Sequence, residues 1–177
     1  NTLNHLGVFA PKSFFTELII NGENMGNMYL EEHPSESYTS NAQRKYGPIL
    51  RLKEKILQDL STKSIFYNKD LFWQKDKNLY YAADKFYEFY YQPLNNYSLI
   101  DEEIWAKYIA ANFLFKCWHG NISKNLKFYF NIVNKKYEPI SFNNSCGQKN
   151  VDFKYGYLPD ENLFIYRLIA IKKFRLV

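Results

Sequence analysis

Residues 117–144 read Cys117-Trp-His-Gly-Asn-Ile-Ser-Lys-Asn-Leu-Lys-Phe-Tyr-Phe-Asn-Ile-Val-Asn-Lys-Lys-Tyr-Glu-Pro-Ile-Ser-Phe-Asn-Asn144, and the fold turns on this stretch. A polar loop over residues 119–125 leads into the apolar run at residues 126–130. A turn follows at residues 131–136, and a second apolar run ends at Phe142 against Asn143 and Asn144. Two β-rich runs joined by a short polar turn predict a loop feeding a β-hairpin. The two ends of that hairpin gather His119, Asn121, Asn125, Asn143 and Asn144. Polar side chains delivered by rigid strands are how a fold presents ligands to a metal or a phosphate.

Immediately upstream, residues 98–118 predict a helix. Ser98 or Asp101 can cap it, Glu102 and Glu103 suit its first turn, and Ile104, Tyr108, Ala111 and Phe115 recur at helical spacing. It delivers the chain directly to His119. Residues 80–91 predict a second helix, ended before Pro93. Residues 53–79 are mixed and highly charged and read as a variable insertion. Downstream, residues 145–150 form a polar loop and residues 160–170 a further helix, with Asp160 or Asn162 near its start.

The N-terminal part has its own signals. Residues 2–7 look like the tail of a helix stopped by Gly7, with Pro11 close behind. Residues 14–20 are β-rich, Asn21-Gly22 is a strong hairpin turn, and residues 26–32 return as the partner strand. Ser35, Ser37 and Ser40 offer caps for a loop that opens a short helix. Residues 47–52 read as a strand, expected to join the hairpin in a small three-stranded sheet.

At 177 residues the chain can bury one ordinary domain core. Apolar residues make up 46% and charged residues 23%, which is a globular composition. Aromatic residues reach 19%, with 16 Tyr and 15 Phe, and serve either core filling or an aromatic binding surface. The net charge of +5 is spread along the chain, so nucleic-acid binding is not expected. Only Ile171-Lys-Lys-Phe-Arg-Leu-Val177 approaches a basic stripe, and such a short basic amphipathic end is more often a solvated helix or strand terminus. Cys117 and Cys146 make no metal-binding spacing and are either bridged or two free thiols. No apolar run is long enough for a transmembrane helix. The chain opens on Asn1 without a signal-peptide pattern, as expected of a processed protein or a piece of a longer one.

Several of these stretches, taken in order, resemble one family. They are Leu6-Gly7, Asn21-Gly-Glu with Gly26, Tyr29-Leu-Glu-Glu32 and Gly47-Pro-Ile-Leu50. After them come Asp101, His119, Asn125, Phe128-Tyr129, Glu138-Pro-Ile140 and Phe142-Asn143. This order is similar to the CotH family of spore-coat-protein-H-type kinases and covers most of residues 3–145. The resemblance implies an α+β, protein-kinase-like two-lobed fold, a small antiparallel sheet plus a helical lobe, incomplete at its N-terminal side. Residues 1–52 would belong to the small lobe, residues 53–97 to the insertion and a helix, and residues 98–177 to the large lobe.

The implied activity is transfer of the γ-phosphate of ATP to Ser or Thr of a protein substrate, with Mg or Mn on the phosphates. Glu31 or Glu32 would face the nucleotide, His119 to Asn125 would be the catalytic loop, and Asn125 and Asn143 would stand at the metal positions. A spore-coat or cell-surface setting follows from the same resemblance, while the residues themselves leave the compartment open. Two departures bear on the chemistry. Asn143 stands where the family has a metal-binding Asp, and an amide brings no charge to a divalent cation. Residues 119–125 contain no Asp or Glu, so no general base is visible there, although Asp152 offers a carboxylate elsewhere.

Each candidate also has a structural reading. His119 can be a helix-end histidine near the last carbonyls, and Asn125 a turn residue bonding its own backbone. Of Glu31 and Glu32, one points inward on a strand and the other is solvated. Asn143-Asn144 can simply end a strand. Three functions follow: a CotH-type kinase, a catalytically impaired pseudokinase acting as a binding or assembly module, or an aromatic-rich surface or coat protein.

Overall fold

The computed structural model describes residues 2–33, 35–51, 65–66, 74–92, 97–117, 119–122, 125–142 and 163–170. In chain order its elements are α1 (Thr2–His5), β1 (Ser13–Ile20), β2 (Glu23–Glu31), α2 (Glu36–Asn41), β3 (Ile49–Arg51) and β4 (Ile65–Phe66). They continue with α3 (Lys77–Tyr91), α4 (Glu102–Leu114), β5 (Lys127–Asn131), β6 (Lys136–Ile140) and α5 (Leu163–Ala170). Short 3-10 turns lie at Tyr97–Leu99 and His119–Asn121. The class is mixed α+β.

The hairpin β5–β6 forms as the sequence predicts. Asn131 Oδ1 accepts from the Val133 amide at 3.0 Å and Asn134 Oδ1 from the Lys136 amide at 3.0 Å, so the two asparagines close the turn between them. β3 pairs antiparallel with β5 on one side and β4 on the other, giving the order β4-β3-β5-β6. This corrects the expected three-stranded sheet: among the described residues β1 and β2 pair only with each other, and β3 belongs to the central sheet. Gly47 makes that placement possible. A Cβ there would lie 2.9 Å from the Phe130 carbonyl oxygen, so the chain entering β3 passes too close to β5 for any side chain.

Alternation gives the central sheet two different faces. Leu50, Phe128, Phe130 and Tyr137 point toward the helices and share the main core with Phe86, Phe89, Trp105, Tyr108 and Phe164. Phe89 is its hub, stacked on Tyr137 at 4.2 Å and in ring contact with Trp105, Phe128 and Phe164. Ile49, Tyr129 and Ile140 point the other way, under a thin cover made by Phe9 and Tyr38. Phe9 is held in place by the Ser141 amide, which donates to its carbonyl at 2.8 Å.

The helices start where their caps dictate. Ser35 caps α2 by accepting from the Tyr38 amide at 3.3 Å. Asp76 caps α3, accepting from the amides of Asn78 and Leu79 at 2.8 and 3.0 Å. α3 therefore begins three residues before the stretch the sequence predicts. Asp101, not Ser98, caps α4, and Ser98 lies in the preceding 3-10 turn. α4 is anchored to the hairpin by Trp105 Nε1, which donates to the Tyr137 carbonyl at 2.9 Å. No helix among the described residues is long and apolar enough to cross a membrane.

The hairpin β1–β2 stands apart from these layers. Asn21 and Gly22 both take positive φ, 52° and 85°, the conformation its tight turn needs. Every residue of β1 but Glu17's neighbour Thr16 is exposed, as is every residue of β2 but Glu31.

Candidate functional site

α4 ends at Leu114, and a short turn with Lys116 at φ 54° delivers Cys117 to the start of the predicted catalytic loop. Asn112 on α4 donates its amide to Asn121 Oδ1 at 3.1 Å, and Asn121 Nδ2 donates back to the Cys117 carbonyl at 3.3 Å. Both asparagines are buried. Asn121 is thus part of a lock that ties the 3-10 turn to α4. Cys117 is disulfide-bonded, which resolves its predicted alternatives; Cys146, the other cysteine of the chain, lies outside the described residues.

His119 and Asn125 lie together. Asn125 Nδ2 donates to the His119 carbonyl at 2.9 Å and sits 3.3 Å from its Nδ1. The geometry is that of a loop-closing asparagine, with its donor aimed at its own loop. Asn143, Asn144 and Asp152 lie outside the described residues.

Glu31 and Glu32 separate at the end of β2. Glu32 accepts from Asn41 Nδ2 at 2.6 Å and from the Lys12 amide at 3.4 Å, while Lys12 Nζ donates to Asn41 Oδ1 at 3.0 Å. It stitches the hairpin base to α2. Glu31 acts electrostatically on Lys127.

Lys127 was not singled out by the sequence. It is the first residue of β5, only 2% exposed, with its ammonium above the Phe142 ring. Burial pushes its pKa down to about 7; Glu31 opposes that shift, and Arg51, its register partner on β3, adds to it. Period-two alternation could have flagged it, since Lys127 shares the inner face of Tyr129.

At the other end of the same face, Arg44 and Glu138 form a buried ion pair at 2.6 Å. Arg44 also donates to the carbonyls of Ala42 at 2.9 Å and Gly7 at 2.7 Å, and its guanidinium lies 5.0 Å from the Phe9 ring centre. Asn131 Nδ2 supplies the second Glu138 oxygen at 2.7 Å. An open cavity of about 460 Å³ lies beside this pair, lined by Asn4, Asn41, Gln43 and Asn131 among others. Glu138, within the resemblance motif Glu-Pro-Ile, is thereby joined through Arg44 to the backbone just after α1 and α2.

Of the two residues the resemblance sets at the metal, Asn143 lies outside the described residues and Asn125 is the one in view. Mg²⁺ and Mn²⁺ favour carboxylates, whereas Asn125 offers an amide already used by its own loop and Glu32 is spent on Asn41 and Lys12. Among the described residues no group of three or more His, Cys, Asp or Glu stands close enough to hold a metal ion. No protein-family model matches the chain, and a comparison with curated proteins gave no match.

Proposed function

We propose that the chain is a CotH-like, protein-kinase-like domain that works as a binding or assembly module and not by phosphoryl transfer. The observation that carries this reading is the Asn112–Asn121–Cys117 lock together with the Asn125–His119 bond. In the described part of the loop that the resemblance makes catalytic, Asn121 and Asn125 are neutral amides engaged in holding the loop. Phosphoryl transfer needs a carboxylate to orient the acceptor and charge to hold the metal. Neither role is filled by an amide so engaged.

Positive support for binding comes from β1–β2, an exposed apolar arm of the kind that marks an interaction surface. The Cys117 disulfide fits an oxidising compartment, in keeping with a surface or coat setting. One observation favours the active-kinase reading: Glu31 lies near Lys127, and a lysine–carboxylate pair is part of kinase sites. A transfer assay with labelled ATP and Mg²⁺ or Mn²⁺ decides between the two, with no transfer expected.

A further inference from the structure

The hairpin β1–β2 is a two-stranded sheet whose two edges pair with no other strand among the described residues, and an isolated two-stranded hairpin is marginally stable in water. Its side chains are uncovered by its own chain: Phe15 is 75% exposed, Ile19 62%, Tyr29 57% and Leu30 51%. Between Ser13 and Glu31 there is no Lys, Arg or Pro, the residues that commonly guard a sheet edge. Its guards are three glutamates and the bulge between Glu17 and Ile19. Such an edge is a template for an added strand.

Charge selects what can add. The hairpin carries Glu17, Glu23 and Glu31 and no cation, so a chain of net charge +5 has +8 in its remainder. Two hairpins meeting edge to edge would set glutamates against glutamates, which is unfavourable across strands. The favoured occupant is an extended segment with apolar and basic residues. Residues 171–177, Ile-Lys-Lys-Phe-Arg-Leu-Val, have that chemistry: three cations, no anion and four apolar side chains. Seven extended residues span roughly 23 Å, close to the roughly 26 Å of β1.

We propose that the β1–β2 hairpin binds residues 171–177 of a second copy of the chain as an added strand. The contact is head-to-tail, so it propagates from copy to copy instead of closing on a two-fold axis. This extends the binding-module reading by naming the partner. A chain that assembled and also transferred phosphate would sink that reading and leave the assembly contact standing.

The test is sedimentation velocity on the full chain over a wide concentration range, at low and high salt, with three variants. One carries Glu17→Lys and Glu23→Lys, the second carries Lys172→Glu, Lys173→Glu and Arg175→Glu, and the third carries all five. Circular dichroism and melting curves verify that each is folded. The parent should self-associate, with its dissociation constant raised about tenfold in high salt or by either set of reversals. The five-fold variant should associate again, because the charges are exchanged and not lost. A parent that stays monomeric overturns the proposal. So does association unchanged by either set of reversals, or a five-fold variant no better than the others.

Discussion

Asn112 on α4 donates its side-chain amide to Asn121 in the following 3-10 turn at 3.1 Å, and both residues are buried. The bond fixes how the chain leaves α4 and enters the hairpin β5–β6, and it occupies the loop that a kinase of this resemblance would use for chemistry. Replacing Asn112 by Ala strands the Asn121 carbonyl without its donor, at a cost of about 1–3 kcal/mol. Denaturant unfolding should show that loss, and an unchanged midpoint would count against the lock.

Lys127 predicts a pH dependence with a definite sign. Its folded pKa lies near 7 while the unfolded value is 10.5, so between these limits the unfolded chain binds more protons. This group's contribution to stability therefore rises with pH from about 7 upward. Glu31 favours its charged form and Arg51 disfavours it. In Lys127→Met the rise should be smaller, and the variant should be more stable than the parent at pH 6. Identical pH profiles for the two proteins would show that Lys127 is not desolvated in solution.

Much of this organisation was legible in the sequence. Asn21-Gly22, Ser35, Asp101 and the runs flanking residues 131–136 are local signals, and the elements they mark are all present. The partner of β3 was not legible, because Ile49 pairs with Tyr129 far along the chain and no local pattern encodes that contact. The same holds for Arg44 and Glu138, 94 residues apart. A lysine opening a strand reads as solvated, and Lys127 is buried because of what packs over it. The amide lock was invisible for a related reason: Asn112 sits in a helical stretch whose side-chain partner only the turn after α4 supplies.

Tyr38 is a buried ring under the thin face of the sheet, and its hydroxyl has no hydrogen-bond partner among the described residues. Burial raises its pKa, with Glu31 and Glu32 adding to the shift, so it stays neutral at physiological pH. Tyr38→Phe removes an unsatisfied polar atom while keeping the contact with Phe9 at 4.5 Å. Thermal melting should find it neutral or more stable by up to ~1 kcal/mol. A marked loss of stability would mean that the hydroxyl has a partner.

Arg44 and Glu138 predict a large asymmetric effect. Arg44→Met leaves the Glu138 carboxylate buried with only Asn131 as a described side-chain donor, and such a break costs about 3–5 kcal/mol. It also frees the Gly7 carbonyl that ties α1 to the sheet. Equilibrium unfolding is the readout. A loss below about 1 kcal/mol would place this pair with surface ion pairs.

The claim that the domain binds and does not transfer phosphate is tested most directly by incubating the pure chain with γ-labelled ATP and Mg²⁺ or Mn²⁺. Asn125→Ala serves as the control, and label is read on the chain itself and on a generic Ser/Thr protein acceptor. The account predicts no metal-dependent label in either protein. Metal-dependent labelling by the parent that disappears in a folded Asn125→Ala would contradict it and make this loop the reactive centre of an active kinase.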